Sequence, residues 1–167
     1  KPPVHATVTD WAGTQEGRFF IQDLYQGLEP VKRGTIKRLR IIGVPRKVQP
    51  HMNNPILVVA AEDPGKYVLG TVPVNDDGSA AFVVPANMPL AVQPLDAEGK
   101  AVQLMRSWFT AMPGERVSCV GCHERQSSSP PGKQASAFRQ RPTPIQPWYG
   151  PPRGFSFAHE VQPVLDK

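Results

Sequence analysis

Proline is spread along almost the whole chain and limits what the chain can fold into. The sequence has 20 prolines in 167 residues. Because proline breaks helix interiors and is restricted to the edges and ends of strands, this composition favours short strands, turns and extended segments over long helices. Since 40% of the residues are hydrophobic and only 20% are charged, we still expect one domain of ordinary size with a real core.

Between Gly17 and Phe109 the sequence consists of short apolar runs separated by turn residues. Asn75–Gly78 and Asp96–Gly99 supply the Asn, Asp and Gly residues that tight reversals favour. Short strands at this spacing predict an antiparallel β-sandwich, with a bulge required in the second strand. The predicted strands are Arg18–Tyr25, Thr35–Val44, Pro55–Ala61, Tyr67–Val74, Ser79–Val84, Leu90–Leu95 and Ala101–Phe109.

The rest of the chain divides by composition. We interpret residues 1–16 as an incoming linker and 17–125 as the sandwich with the motif described below. Residues 126–154 contain seven prolines and predict an extended segment that cannot form a packed core by itself. Because this segment also contains aromatic side chains, we expect it to wrap over the domain and cover an apolar surface. Residues 155–167 predict a short C-terminal helix.

The run Cys119-Val120-Gly121-Cys122-His123 carries the most specific chemistry in the chain. Two thiols at this spacing match the two vinyl groups of a haem, and each can form a thioether. The imidazole that follows directly is then placed as an axial ligand of the iron. The sequence therefore predicts one covalent haem c, with both cysteines as attachment points and His123 as the proximal ligand.

A CxxC pair also occurs in redox dithiols and in zinc sites, and both alternatives stay open. A redox pair favours the start of a helix after a strand in a βαβ unit, which this sequence does not predict. A zinc site needs further ligands, and the other histidines, His5, His51 and His159, stand singly in the sequence. The histidine directly after the second cysteine favours haem attachment.

The second axial position and the haem propionates have candidates of their own. His51 lies in a polar loop beside Met52, and both side chains are of types that bind haem iron. His51 is the first candidate for the distal ligand, whereas an open position would indicate catalysis or small-molecule binding. Arg116 and Arg125 flank the motif and are candidates for pairing with a propionate.

The distribution of charge and the absence of other motifs argue against several other classes of function. The formal net charge is +5, but the basic residues are scattered and are not interleaved with aromatics, so no nucleic-acid partner is predicted. No apolar stretch approaches the roughly 20 residues of a membrane span. Phosphate-binding loops, Ser/His/Asp orders and HExxH are absent from the sequence. The sequence starts at Lys1 without a signal peptide, as an internal piece would, and we interpret the chain as a piece of a larger exported protein.

Several runs around the motif are similar to those of a known family. The runs are Val74–Ala86, Gln93–Gly99, Met105–Trp108, Pro113–Glu115 and Ser118–Glu124. They resemble the middle, haem-binding domain of the hydrazine synthase alpha-subunit family, whose relatives occur in planctomycete-type bacteria. The resemblance extends over residues 17–167 and is most specific over 74–124. The stretch from Phe157 resembles the lead-in helix of a second c-type cytochrome domain.

The resemblance implies a periplasmic multidomain haem protein, with a β-propeller before this domain and a cytochrome c domain after it. In the hydrazine-forming enzyme the haem of this domain is catalytic, the motif histidine is drawn to a zinc, and a tyrosine beyond the motif binds the iron. Ser127 stands at that tyrosine position here. We therefore expect an electron-transfer module with a redox partner protein. The alternatives are a catalytic open-site haem domain acting on a small nitrogen or oxygen species, and an interaction module with zinc or no cofactor.

Overall fold

The computed structural model describes residues 10, 13–44, 65–123, 127, 134–147, 150 and 156–167. This part of the chain is mostly strand, and none of its helices is long and apolar enough to cross a membrane. Its strands are β1 (Glu16–Ile21), β2 (Arg38–Gly43), β3 (Tyr67–Pro73), β4 (Ala80–Pro85), β5 (Leu90–Leu95) and β6 (Arg116–Cys119). The predicted strand Pro55–Ala61 lies outside the described residues.

These strands form two three-stranded sheets. In the first sheet β1 lies between β4 and β6, antiparallel to β4 and parallel to β6. In the second sheet β2 lies between β3 and β5 and is antiparallel to both. The prediction of a mostly β fold is confirmed. The prediction of purely antiparallel pairing is wrong for β6, a short strand absent from the predicted set, which runs alongside β1 in the same direction.

Residues of both sheets contribute to one hydrophobic core. Alternation along β1 turns Phe19 and Ile21 inwards, and both side chains are buried. The Phe19 ring stacks on Phe109 at a centroid distance of 4.0 Å and lies 5.4 Å from the ring of Phe82. Leu39 of β2 is fully buried in the same cluster. Full burial of one such side chain stabilises the fold by roughly 1.5–3 kcal/mol.

The predicted turns and the predicted bulge are present, with one change. Asp96–Gly99 reverses the chain after β5, with a hydrogen bond from Gly99 N to Asp96 O. Asn75–Gly78 is also a tight turn, but it connects β3 and β4, which belong to different sheets, so it does not close a hairpin. The pairing of β2 with β3 shifts register between Ile41 and Ile42, which places the bulge inside the predicted second strand.

Residues 102–108, hereafter the arch, replace the predicted strand Ala101–Phe109. The segment pairs with β5 at its two ends, Ala101 with Leu95 and Phe109 with Leu90. Those bridges are separated by 95 − 90 = 5 steps on β5 but by 109 − 101 = 8 steps on the segment. Three extra residues cannot remain paired, so the chain between the bridges bows outwards. The prediction of a regular strand here is wrong for this reason.

Residues 134–147, hereafter the strap, run along the edges of both sheets on the side of β3 and β4. Thr143 N donates to Ala81 O at 2.8 Å, and Gln146 N donates to Thr71 O at 2.9 Å. The strap also contains a short 3-10 helix, Ser136–Arg139. Towards the C-terminus a π-helical turn, Phe157–Val161, leads into the helix α1, Gln162–Leu165. A short helix was predicted in this region.

Candidate functional site

The CxxCH motif lies at the end of β6 and is hydrogen-bonded to residues 22–27, the turn that follows β1. Cys119 is the last residue of β6, and its carbonyl accepts a hydrogen bond from Gln22 N at 3.0 Å. The carbonyl of Gln26 accepts from Cys122 N at 3.1 Å and from His123 N at 3.4 Å. The turn therefore fixes the backbone of the motif on both sides of its central residues.

Two glycines allow the motif and this turn to approach so closely. A Cβ on Gly121 would lie 2.6 Å from both the Cβ and the carbonyl oxygen of Gln26. A Cβ on Gly27 would lie 2.3 Å from the carbonyl oxygen of His123, and Gly27 has a φ of +79°, which disfavours any side chain. The motif thus rests backbone against backbone on the turn, and this contact positions His123.

Two side chains of the turn, Asp23 and Tyr25, bind the segment that leads from the turn to β2. The carboxylate of Asp23 is buried and forms an ion pair with Arg33. The hydroxyl of Tyr25 accepts hydrogen bonds from Gly34 N at 2.8 Å and Ile36 N at 3.0 Å. The Tyr25 side chain is itself buried, and its hydroxyl binds the backbone of the segment that follows the turn. These contacts therefore connect the turn that binds the motif to the residues directly before β2.

The motif forms one wall of a cleft of about 810 Å³, hereafter the motif groove. This volume falls within the range of roughly 300–1,000 Å³ that small-molecule and cofactor sites occupy. The arch forms another part of the lining, and the floor is largely apolar. The lining residues are Phe19, Ile21, Gly27, Leu28, Val92, Pro94, Gln103, Leu104, Met105, Arg106, Ser107, Phe109, Ser118, Cys119, Gly121, Cys122 and His123.

The two thiols face apolar surroundings. Neither cysteine is in a disulfide, and both are half-buried and packed against the hydrophobic core. Burial, and to a lesser extent the charge of Cys119, raises the pKa of the Cys122 thiol to about 12. A redox dithiol needs the opposite, a lowered pKa that makes the thiolate available at neutral pH. A thioether carries no charge, so an apolar environment suits it well.

The structure brings some of the predicted site residues together and places one elsewhere. Cys119, Cys122 and His123 all line the motif groove. Arg116 lines a different cleft of about 610 Å³, where it lies near its strand neighbour Arg18. The other two predicted residues, His51 and Arg125, lie outside the described residues, as does Met52.

The motif groove also contains residues that were not among the predicted site residues. Arg106 and Met105 come from the arch, and both line the groove beside the motif. Their local sequence predicted a strand, in which they would have been ordinary surface and core positions. The signal that pointed to them was the run Met105–Trp108, one of the runs that carry the family resemblance. The sequence alone did not predict that this segment bows away from β5, which brings both side chains to the lining of the motif groove.

Within the described part of the chain, no group of three or more His, Cys, Asp or Glu side chains is arranged to hold a metal ion. A four-ligand zinc site at the motif would therefore need ligands from outside the described residues. The strap, for its part, contributes no residue to the lining of the motif groove. The strap, which is the continuous described part of the Pro-rich segment, instead covers the β3 and β4 edges.

Comparison with known proteins shows similarity over most of the chain. A family model described as the hydrazine synthase alpha subunit middle domain matches residues 34–124. A solved structure of the hydrazine synthase of Kuenenia stuttgartiensis resembles the fold with a TM-score of 0.64 and 22% sequence identity, over 76% of this chain and 20% of that chain. This chain thus spans about a fifth of the length of that protein chain.

No curated protein matches the chain. The fold likeness and the family match nevertheless agree, and the match spans the strands from β2 to β6, the arch and the motif. Because residues 34–124 make up more than half of the chain, the chain belongs to the family of hydrazine synthase alpha subunit middle domains.

Proposed function

We propose that this chain is a c-type haem-binding electron-transfer module of a larger periplasmic multidomain protein. The observation that carries the proposal is the convergence of both thiols and the motif imidazole on one groove with an apolar floor. These are the groups that covalent haem attachment requires. The residues present therefore fit the cofactor: two thiols, one nitrogen ligand and an apolar surface for a macrocycle.

Each residue has a distinct role in this proposal. Cys119 and Cys122 attach the cofactor as thioethers, and His123 is the proximal iron ligand. The haem supplies one-electron chemistry when it is bound, and the protein supplies its binding, orientation and electrostatics. Gly27 and Gly121 keep the motif backbone against the turn, which limits the positions that the imidazole can take. Phe19 and Ile21 exclude water from the floor of the groove.

The second axial position separates electron transfer from catalysis. We propose His51 as the distal ligand, since its polar loop sequence is unusual for a core histidine. Met105 is the alternative, because its thioether lies in the motif groove and methionine binds iron in electron-transfer cytochromes. Ser127 at the position of the family's tyrosine removes one oxygen ligand from near the motif.

A second candidate function is a catalytic haem domain that acts on a small nitrogen or oxygen species. Membership of the hydrazine synthase alpha subunit family favours it, since the solved relative is named as a hydrazine synthase. The motif groove would then hold a haem whose distal side stays open to substrate. The two functions share attachment through Cys119 and Cys122 and differ in the spin state and ligand affinity of the iron.

We also propose an architecture for the domain, its neighbours and its location in the cell. We propose that the two sheets face each other as a β-sandwich, supported by the hydrophobic core to which both contribute. The chain matches only a part of its solved relative, which supports a role as one domain among several. Neighbouring domains and a redox partner protein are then its natural contacts. We propose the periplasm as its location, since a covalent haem of this type suits an exported protein.

A visible absorption spectrum tests the proposal. The chain is produced in the periplasm of a host with a haem-attachment system, and non-covalent haem is removed with acid acetone. We expect a reduced alpha band that stays with the wild-type protein and with the groove variant Ser118→Ala, and disappears in Cys119→Ala/Cys122→Ala. A low-spin spectrum without carbon monoxide binding supports electron transfer, whereas a high-spin spectrum with rapid binding supports catalysis. A colourless wild-type protein would contradict both and leave the interaction module with zinc or no cofactor.

A further inference from the structure

We infer that Arg106 of the arch pairs with a haem propionate and sets the electrostatics of the haem edge. This inference rests on the proposed haem in the motif groove. It assigns a role to a residue that the sequence had not singled out, in place of Arg116, whereas Arg125 lies outside the described residues. Arg106 is a positioning residue in this account, since it acts on the carboxylate of the cofactor and not on the iron.

The placement of Arg106 follows from the arch. Bridges to β5 at Ala101 and Phe109 fix both ends of the segment, and its extra residues bow away from the sheet. Val102 N still donates to Pro94 O of β5 at 2.9 Å, so the departure from β5 begins after Val102. Arg106 lies past the middle of the bowed stretch and lines the same groove as the motif. The motif and the arch thus contribute to one cleft from different sheets.

The charge inventory of the motif groove singles out this residue. Among the described residues that line the groove, Arg106 is the one with a permanent charge, and no Asp or Glu accompanies it. Its side chain is exposed, and it forms no ion pair or hydrogen bond within the described part of the chain. Within the described part of the chain, the groove therefore presents one unpaired guanidinium beside apolar side chains and the two thiols.

A haem edge is the chemical complement of this arrangement. The macrocycle is apolar, and its propionates are carboxylates at the edge of the ring. A guanidinium recognises a carboxylate through two parallel N–H···O hydrogen bonds, and such charge-assisted bonds are stronger than neutral ones. Partial exclusion of water by Leu28 and Phe109 would strengthen the pair further.

Arg116 lacks these features. It lines the smaller cleft together with two acidic residues, Asp10 and Glu16, and with Arg18. Carboxylates of the protein already balance the arginines of that cleft. Arg116 also stands on β6 three residues before Cys119, on a strand whose residues alternate between faces. It is therefore a matched control: the same residue type, similar exposure and proximity in sequence, but in a different cleft.

The pairing has two measurable consequences. A cation beside a propionate offsets its negative charge, which otherwise favours the oxidised iron, so removal of the cation lowers the reduction potential. The same cation favours the ionised carboxylate and lowers the propionate pKa. Without Arg106 the propionate pKa rises. The pH range over which the reduction potential changes therefore moves to higher pH. A purely structural role of Arg106 would move neither quantity in this pattern.

The experiment compares Arg106→Gln, Arg106→Lys and Arg116→Gln with the wild-type holoprotein. Covalent haem content is measured first in all of them from the pyridine haemochrome spectrum. Potentiometric titrations over a range of pH follow. We expect Arg106→Gln to lower the potential and shift its pH dependence upwards, Arg106→Lys to restore part of both changes, and Arg116→Gln to match the wild type.

The outcomes separate this inference from the proposed function. If the proteins carry haem and Arg106→Gln titrates like the wild type, or Arg116→Gln changes as much, the assignment of Arg106 is wrong while the haem module stands. If the wild-type protein carries no haem, the proposed function is wrong, and the assignment falls with it.

Discussion

The backbone of Gly27 lies directly against the carbonyl of His123, so closely that a Cβ at position 27 would stand 2.3 Å from the His123 oxygen. This contact connects the turn after β1 with the residue proposed as the proximal ligand. Because both partners are backbone, the contact cannot be relieved by rotating a side chain. The position of the imidazole therefore depends on a residue that is nearly a hundred positions away in the sequence.

Gly27→Ala is expected to destabilise the fold and to reduce haem attachment. Gly34 is the matched control, since its φ of +85° is similar to that of Gly27 at +79°, but a Cβ there has no neighbour within 4 Å. The backbone strain of a non-glycine residue in this region costs about 1–2 kcal/mol in both variants. Overpacking against His123 adds roughly 1–3 kcal/mol in Gly27→Ala alone. Urea denaturation measures the difference.

The two glycine variants also separate stability from cofactor binding. Gly34→Ala is expected to retain the haem content of the wild type after acid-acetone extraction, whereas Gly27→Ala loses part of it. Equal losses of stability and equal haem contents in the two variants would show that the close contact with His123 has no consequence.

Asp77 is expected to stabilise the docked strap in a pH-dependent way. Burial of its carboxylate raises its pKa, but hydrogen bonds from Ser79 and Ser136 outweigh this and hold the pKa of Asp77 well below its usual range. Ser136 N donates to Asp77 Oδ2 at 2.8 Å, and the Ser79 hydroxyl donates to Oδ1 at 2.6 Å. A lowered pKa in the folded state means that the stabilisation is present above the unfolded pKa of about 3.9 and disappears as the pH falls through the folded value.

Asp77→Asn is therefore expected to lower the free energy of unfolding by about 1 kcal/mol near pH 7, a figure reduced for the partial exposure of the group. The loss should shrink as the pH falls below about 4, because the carboxylate is then protonated in the unfolded chain, and it should vanish once the pH has fallen through the lowered pKa of the folded state. Asp76→Asn, at the exposed neighbouring position, is the control. Thermal unfolding at several pH values provides the comparison. A loss that is independent of pH, or equal in both variants, would contradict the role of the charged Asp77.

The Cys122 thiol of haem-free protein is expected to react slowly with iodoacetamide. Burial, with a smaller contribution from Cys119, raises its pKa to about 12, so very little thiolate is present near pH 8. Against an ordinary cysteine with a pKa of about 8.5, alkylation should be at least about a hundredfold slower. The urea-unfolded chain supplies the reference rate for the same residue. Rapid alkylation of folded protein at neutral pH would instead favour the redox dithiol.

The spin state of single-residue variants is expected to identify the distal ligand. His51→Ala should convert a low-spin haem into a high-spin one, while Met105→Ala should leave the spectrum unchanged. The reverse result, with loss of the far-red charge-transfer band of methionine-ligated ferric haem in Met105→Ala, would assign the ligand to the arch. A wild-type protein that is already high-spin would contradict bis-axial ligation and favour the catalytic domain.

Local sequence signals predicted those parts of the fold that depend on neighbouring residues. β3, β4 and β5 lie close to their predicted bounds, because each is an apolar run between turn residues. The motif also predicted its three groove residues, since the chemistry of CxxCH is contained in five consecutive positions. These features need no knowledge of distant contacts.

The features that escaped prediction depend on contacts between distant segments. β6 has only four residues, and its pairing with β1 joins positions about a hundred residues apart. The arch looked like a strand, and only its register against β5 shows that it has too many residues to stay paired. Arg106 was missed for the same reason, and Arg116 was preferred because it is closer to the motif in sequence. Proximity in the groove follows from the register of two sheets and not from sequence separation.

The most direct test of the central claim is the mass of the purified chain from a host that attaches haem in its periplasm. We expect an increase equal to one haem, retained under denaturing conditions and located by digestion on the peptide that contains Cys119, Cys122 and His123. The double variant Cys119→Ala/Cys122→Ala should show the mass of the polypeptide alone. An unmodified wild-type mass from a host that attaches haem to a control cytochrome would contradict the account.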